Sequence, residues 1–446
     1  VEAFVHVKPE VRKTAVAGVR AVLTDGAWVR TWLAAHAGRL APHERAQVHD
    51  LLMGTLRWLG RLDRLLETHA RRRPDPWVRD LVRVALYQLD QGSREPPYAV
   101  VAETVELARR VKGDHVGGWV NGVLRAFLRQ EDRSAAFTGP AAEADARAFP
   151  PWLFERFVAA WGPEEARRVA DGLNRPSGLD LRVNRARLEP EALVARLAGQ
   201  GLEAAPIPGL PDALTLTGGR GLFADEGWDA AEWIVQDRTS QAVAGVIGAS
   251  LSGRVLDACS GNGVKLLGWV DRPGVTEVVA VDLQPDKLAR GRTLLERWRS
   301  GQGGAAPVTL VAADASATGF PDASFDAVVV DAPCSGTGTL RRRPEIKARL
   351  TPQAVTELAD LQGRLLTEAA RVVKPGGVLA YAVCSLLPDE GPAVVTRFLE
   401  AHAELSAFPD VFHDAPHAVT ADGVTRLFDP DQPGDGFQVA VMRRVD

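Results

Sequence analysis

Two hydrophobic periodicities divide this chain. In the first part apolar residues recur at helical spacing, through "ERAQVHDLLMGTLRWLGRLDRLLETHA", "DPWVRDLVRVALYQLD" and "AVVAETVELARRV", with Pro74, Pro76, Pro96 and Pro97 at the joins. The pattern predicts a compact all-α bundle over residues 1–135. The small, polar stretch "RQEDRSAAFTGPAAEADARAFP" predicts a linker. Next, "LDLRVN" alternates like a strand, "EPEALVARLAGQG" reads as a helix with Pro190 near its first turn, and "DALTLTG" is a second strand. A small α+β domain is therefore expected over residues 150–230. From Arg254 short Val-rich runs ("RVLDACS", "EVVAVDL", "VTLVAAD", "FDAVVVDAP", "GVLAYAVCS") alternate with amphipathic segments such as "PDKLARGRTLLERW". Continuous apolar strands between helices predict a mostly parallel sheet covered on both faces, a Rossmann-like α/β domain over residues 231–446. The expected fold class is multidomain: all-α, then small α+β, then α/β.

The strand ends carry the chemistry. Ligands on such sheets bind at the carboxyl ends of the strands, and Asp257, Asp282, Asp314, Asp331 and Cys384 all fall there. The first strand runs into "DACSGNGVK", a glycine turn that lets a ligand approach the backbone and meet a helix N-terminus. Asp282 ends the second strand, where a carboxylate can accept hydrogen bonds from ribose hydroxyls. These features describe a nucleoside-containing cofactor without choosing between NAD and S-adenosylmethionine. The dinucleotide fingerprint is incomplete, because "GNGVKL" has Leu266 at the place of the third glycine. The chain holds three cysteines, all at strand ends of this one sheet. Cys259 is accounted for as a small buried hydrophobe. Cys334 and Cys384, beside a cofactor crevice, call for a thiolate. One reaction that needs a thiolate is methylation of cytosine at carbon 5. Addition of sulfur to carbon 6 breaks the aromaticity and makes carbon 5 nucleophilic, and a carboxyl group such as that of Asp331, hydrogen-bonded to the ring nitrogen and amino group, helps stabilise the negative charge developing on the ring. The "NPPY" motif of amino-group methyltransferases is absent, which fits a carbon target.

Composition and charge change this picture little. The chain has no run of about 18 apolar residues and no apolar core in its opening residues, so a cytoplasmic protein with no membrane partner is expected. No C-x-x-C pair or spaced histidines suggest a metal. Residues 1–130 hold 21 Lys and Arg against 14 Asp and Glu, although the whole chain carries a formal net charge of −4. A basic first part points to a polyanionic partner such as RNA.

"DAPCSGTGTLRRRPEIK", "VVKPGGVL", "LAYAVCSLLPDE", "QDRTSQ" and the terminal "DGFQVAVMRR" resemble the motifs of the RsmB/Sun (Fmu) family of bacterial 16S ribosomal RNA cytosine-5 methyltransferases. Upstream, "AVVAETVELARRV" and "GGWVNGVLRAFLR" resemble the NusB-type RNA-binding bundle, and "LDLRVN" resembles the small domain that precedes the catalytic one. The resemblance implies S-adenosyl-L-methionine as cofactor, and as partner 16S rRNA or a partly assembled small ribosomal subunit. It implies Cys384 as nucleophile, Cys334 as the cysteine that assists product release and Asp331 as the base-contacting carboxylate. It places Cys259, Ser260, Gly261, Asn262, Gly263, Val264 and Lys265 in the cofactor loop, with Asp282, Asp314 and Asp331 beside the cofactor. The chain departs from the family at several positions. Its loop reads "CSGNGVK" where the family has "CAAPGGK", so Asn262 replaces proline and Val264 replaces glycine; Val383 stands for threonine, and Gly391 for a frequent asparagine. The basic run Arg341, Arg342, Arg343 and Lys347, directly after the active-site turn, is expected to hold phosphates flanking an extruded cytosine. The rival readings are the same chemistry on transfer RNA, an RNA-binding ribosome assembly factor with impaired catalysis, and a nicotinamide-dependent oxidoreductase. The last leaves the cysteines unexplained.

Overall fold

A computed structural model of the protein describes residues 7–70, 72–93, 95–219, 221–300, 306–408 and 418–445. The first six residues of the expected 1–135 bundle lie outside them. The chain forms two compact units, Val1–Arg175 with Leu340–Arg349, and Pro176–Thr339 with Leu350–Asp446.

The first unit is helical: α1 (Pro9–Thr24), α2 (Val29–His36), α3 (Pro42–Arg57), α4 (Leu59–His69), α5 (Pro76–Gln91), α6 (Pro97–Lys112), α7 (Asp114–Arg129), α8 (Ala142–Ala146) and α9 (Pro151–Leu173). Prolines open α1, α3, α5, α6 and α9 at N1 or N2, where no intrahelical N–H is needed. The apolar stripes of α1 and α3 to α7 meet in one core that includes Val16, Leu52, Leu81, Leu86, Val100, Leu124 and Phe127. The segment expected as a linker is instead packed. Ala144 and Phe149 are buried, Phe149 meets Phe157 edge-on, and Asn174 Nδ2 donates to the Arg147 carbonyl at 2.7 Å. Its small residues let it lie close against the helices, which composition alone cannot distinguish from flexibility. Helix α9, expected in the small domain, makes its contacts with the helical unit.

The basic run is the sharper correction. Leu340–Arg349 is built into the helical unit. Arg341 is buried and its Nε donates to the Gly172 carbonyl at 2.8 Å, while Arg57 Nη2 donates to the Arg341 carbonyl at 2.7 Å. Lys347 is buried too. Its Nζ donates to the Arg57 carbonyl at 2.6 Å and to Asn174 Oδ1 at 2.8 Å, above the Phe149 ring. Burial, reinforced by the Arg57 charge, pushes its pKa well down. Arg341 and Lys347 therefore brace backbone ends, whereas Arg343 is exposed and Arg342 half-buried. Lys347→Met should cost about 2–4 kcal/mol in urea unfolding, because two buried acceptors lose their donor. Unchanged stability together with weakened RNA binding would return Lys347 to the phosphate role.

The second unit begins with an antiparallel sheet of order β2-β3-β1-β4. Its elements are β1 (Leu179–Val183), α10 (Pro190–Gly199), β2 (Glu203–Ile207), β3 (Leu210–Thr217), α11 (Glu226–Asp229) and β4 (Trp233–Val235). Then follow α12 (Arg238–Ala249), β5 (Gly253–Asp257), β6 (Val275–Asp282), α13 (Pro285–Arg299), β7 (Val308–Ala312) and β8 (Phe325–Asp331). After α14 (Ile346–Arg349), which lies in the helical unit, come α15 (Pro352–Val372), β9 (Val373–Val383), α16 (Pro392–Ala401), β10 (Leu405–Ala407), β11 (Ala418–Ala421), β12 (Val424–Leu427) and β13 (Phe437–Arg444). The second sheet runs β11-β12-β13-β9-β8-β5-β6-β7, with β10 beside β13. Strands β7, β6, β5, β8 and β9 are parallel, and β13 joins β9 antiparallel.

Both faces are covered, as the unbroken apolar strands predict. Leu365, Leu366 and Ala369 of α15 and Val394, Val395 and Phe398 of α16 pack on Leu256, Val328, Val330 and Tyr381. Val243, Ala244 and Ile247 of α12, with Trp269 and Val270, pack on Val255, Val329, Ala380 and Val439. Strand order reverses between β5 and β8, which opens a crevice at their carboxyl ends.

Candidate active site

Strand register sets the site. Asp257 pairs with Val329 and with Ala280, and Asp331 pairs with Ala382. Side chains alternate with period two, so Asp282 of β6, Asp257 of β5 and Asp331 of β8 emerge on the same face at the crevice. Cys384, two residues past Ala382, packs on that face.

Cys334 and Cys384 come from loops after β8 and β9, and their Sγ atoms are 3.3 Å apart. That exceeds the roughly 2.05 Å of a disulfide, so the pair is two thiols sharing a hydrogen bond, each partly exposed. The two titrate together. Cys384 is pulled below the usual thiol range by the hydrogen bond from Cys334 and then by the Lys265 ammonium, against burial. Cys334 is pushed well up by its bond to Cys384, by burial and by the Cys384 and Glu390 charges. Of the two, Cys384 is the thiol that ionises first and Cys334 the one that keeps its proton longer.

Lys265 Nζ donates to Asp331 Oδ2 at 2.6 Å and lies 5.0 Å from the centre of the Phe437 ring. Burial alone drags this ammonium down, but Asp331 more than offsets it and holds the charge. Asp257, 2% exposed, is pushed up to about 8 by burial and by the Asp331 charge, with Lys265 opposing. Its Oδ1 and the Ser260 Oγ are buried without a hydrogen-bond partner.

The loop Cys259–Lys265 is stitched to β6: Ser260 N donates to the Val281 carbonyl at 2.9 Å, and Gly261 N donates to Asp282 Oδ2 at 3.0 Å. Gly261 and Gly263 have φ of 57° and 72°, so both need the left-handed freedom of glycine. Cys259 is pushed up by burial, which fits packing rather than reactivity. The expected helix N-terminus after the loop is not formed. Only the 3₁₀ turn Leu266–Gly268 follows, because Pro273 and the start of β6 at Val275 leave too few residues for a helix. Both loop departures have local partners. Asn262 Oδ1 accepts from Arg290 Nε of α13 at 3.2 Å, and Val264 packs with Ile234, Leu267 and Trp298. Asp314 is exposed, and its carboxylate accepts from Ser316 N and Oγ, both at 2.8 Å.

Sequence reasoning missed what lies behind the cysteines. Glu390, wholly buried, accepts from Ser335 N at 2.8 Å, Gln362 Nε2 at 3.1 Å, Ser385 Oγ at 2.6 Å and Ser335 Oγ. Gln438 Nε2 donates to the Ser385 and Leu387 carbonyls, both at 2.9 Å. A Cβ at Gly391 would stand 2.2 Å from the Gln438 amide, so Gln438 fills the space that a side chain at 391 would need. The one signal in the sequence was that each of these two cysteines is followed by serine. Among the described residues, no group of three or more His, Cys, Asp or Glu is placed to hold a metal ion. None of their helices is long and apolar enough to cross a membrane.

A parallel sheet with this strand order, a glycine turn joined to an acidic strand end, and paired cysteines past the ends of β8 and β9 define an α/β domain of the methyltransferase class. Residues 249–443 match the family described as 16S rRNA methyltransferase RsmB/F, residues 9–129 match the NusB family, and residues 149–221 match the RsmF/B ferredoxin-like domain. The Ribosomal RNA small subunit methyltransferase B of Sodalis glossinidius is 34% identical over 97% of both chains, and that of Cronobacter sakazakii is 32% identical over 97% of this chain and 98% of its own. The chain belongs to the RsmB/F family of 16S rRNA methyltransferases. The crystal structure of PH0851, 21% identical, shares the fold over 99% of this chain and 100% of its own, with a TM-score of 0.79.

Proposed function

We propose that this protein methylates carbon 5 of a cytosine in 16S rRNA, using S-adenosyl-L-methionine and a transient bond between Cys384 Sγ and carbon 6 of the base. The observation that carries the reading is the thiol pair 3.3 Å apart beside the Lys265–Asp331 ion pair, at the carboxyl ends of adjacent parallel strands. Family membership supports the ribosomal substrate.

Cys384 adds as the thiolate to carbon 6, and the displaced electron pair makes carbon 5 nucleophilic. Asp331 gives one carboxylate oxygen to Lys265 and keeps the other for the cytosine amino group, so the neighbouring ammonium offsets charge developing on the ring. The residues fit a nucleoside cofactor. Asp282, which already accepts from the Gly261 and Gln284 amides, would take the ribose hydroxyls, the amides of Cys259–Lys265 would approach the cofactor, Asp314 would contact the adenine, and the buried oxygens of Asp257 and Ser260, which have no protein partner, would supply further polar contacts. The cofactor, when bound, supplies the methyl group. Afterwards a water molecule at this partly exposed site takes the carbon-5 proton, the C–H bonding pair restores the ring double bond, and the Sγ–carbon 6 bond breaks with its electron pair returning to Cys384. Cys334 holds a proton beside that leaving sulfur. Arg343 and Arg342 are the part of the basic run kept for flanking phosphates.

Bisulfite sequencing of RNA from cells with and without the protein tests the reaction. A cytosine in 16S rRNA protected only when the protein is present is the expected result. Protection confined to transfer RNA, or none in a strain whose purified protein binds S-adenosylmethionine, would overturn the assignment.

A further inference from the structure

The two cysteines are held by one buried anion that lies outside the reacting groups. Ser335 follows Cys334 and Ser385 follows Cys384, and both hydroxyls converge on the Glu390 carboxylate. Ser335 Oγ also bonds Ser385 Oγ at 3.1 Å, and Thr337 Oγ1 bonds Ser385 Oγ at 3.1 Å while accepting from Leu386 N at 2.9 Å. Gln362 Nε2, donating to Glu390, also donates to the Pro333 carbonyl at 3.0 Å on the residue before Cys334. On the far side, Tyr381 Oη donates to the Glu390 carbonyl oxygen at 2.6 Å. Each loop is thus tied to the same carboxylate through the residue next to its cysteine. A buried carboxylate with this many donors is rigid and is costly to disturb.

The charges around the thiols are arranged unevenly. Lys265 acts on both, and Cys384 also faces Asp331 and Asp435. Cys334 faces the Glu390 charge, and Tyr381, in the next strand, also lies within its field.

We propose that Glu390 is a positioning residue that divides the labour between the two cysteines: it fixes the spacing of their loops through Ser335 and Ser385, and its negative charge keeps the proton on Cys334 so that the thiolate resides on Cys384. The proposal rests on Cys384 being the nucleophile, but its test needs neither RNA nor cofactor. A neighbouring anion disfavours a second negative charge on the sulfur that feels it, here Cys334, so the shared charge moves to Cys384, where Lys265 receives it. Without Glu390 the shared proton distributes more evenly, and the release step loses the donor that stands ready for it.

The test is alkylation of the full chain by iodoacetamide, with Cys334 and Cys384 quantified separately by peptide mass spectrometry across a pH series. In the unaltered protein Cys384 should react faster than Cys334 at neutral pH. Glu390→Gln removes the charge and keeps the shape, and should cut the ratio of Cys384 to Cys334 labelling by about tenfold, equivalent to one pKa unit. Glu390→Asp keeps the charge and should retain most of the preference, which a purely structural role for the side chain does not require. Should Glu390→Gln fail to fold, the unaltered protein and Glu390→Asp still decide. Equal labelling of both cysteines in the unaltered protein overturns the proposal, as does a folded Glu390→Asp that loses the preference or a folded Glu390→Gln that keeps it. If the labelling follows expectation while no RNA is methylated, the clamp stands and the functional reading falls. If RNA is methylated and labelling does not shift, the reverse holds.

Discussion

Cys384→Ala should abolish methyl transfer, while Cys334→Ala should leave RNA covalently held on the enzyme. Without Cys384 no sulfur is left to carry the lower-pKa thiolate beside Lys265, and the neighbouring thiol, Cys334, is pushed up by burial and then by the Glu390 charge. Carbon 5 then remains part of an intact aromatic ring and does not accept a methyl group. RNA and cofactor should still bind, since neither requires the bond to sulfur. Cys334→Ala acts later. Attack and methylation proceed, but the sulfur that must leave has lost the S–H group 3.3 Å away. A slow-migrating protein–RNA band should appear on a denaturing gel after incubation with RNA and S-adenosylmethionine, and should vanish in the double variant with Cys384→Ala. Trapping by Cys384→Ala alone would reverse the two roles. Absence of trapping in both, with activity intact, would remove the covalent mechanism.

Asp257→Asn should flatten a pH dependence of stability. Burial and the Asp331 charge raise the folded-state pKa of Asp257 to about 8, whereas an unfolded chain loses this proton near 3.9. The folded protein therefore holds a proton that the unfolded chain has released between those limits. Its stabilising effect is complete below about pH 4, falls as pH rises, and is exhausted above about pH 8. The slope is about 1.4 kcal/mol per pH unit. Asparagine has no such proton, so the variant should gain on the parent by about 3 kcal/mol between pH 5 and pH 7 in equilibrium urea unfolding. Parallel stability curves for the two proteins would mean that Asp257 is ionised in the fold and satisfied by a group other than those described.

The strands of the parallel sheet were legible because each is a short apolar run closed by a polar residue, as in "VVAVD" and "VVVDAPC". A doubly covered sheet requires that composition, so the pattern is a consequence of the burial it predicts. The cysteines and aspartates were legible for a related reason, since a polar or nucleophilic side chain directly after a buried strand has the carboxyl-end crevice to occupy. Less visible were the limits of the units. The stretch before Pro151 is rich in alanine and acidic residues, and only its packing shows that Ala144 and Phe149 lie inside. By their contacts α9 and Leu340–Arg349 group with the helical unit, while the ferredoxin-like family match begins at residue 149. The basic run misled because charge patterning reads arginine and lysine as solvent-facing. A buried Lys347 is stable only where carbonyl oxygens from distant chain segments, such as that of Arg57, converge on it.

The sequence by itself determined the order of domains, the sheet with its carboxyl-end crevice, and the residue types that meet there, because periodicity and strand-end chemistry are local properties of the chain. Tertiary structure alone decided that Cys334 and Cys384 stand 3.3 Å apart, that Lys265 neutralises Asp331, that Glu390 and Gln438 brace the two loops from behind, and that two of the four basic residues hold a helical core together. These depend on groups tens to hundreds of residues apart in sequence. Whether a charge is paired, exposed or buried is set by such neighbours and not by the residues beside it in the chain.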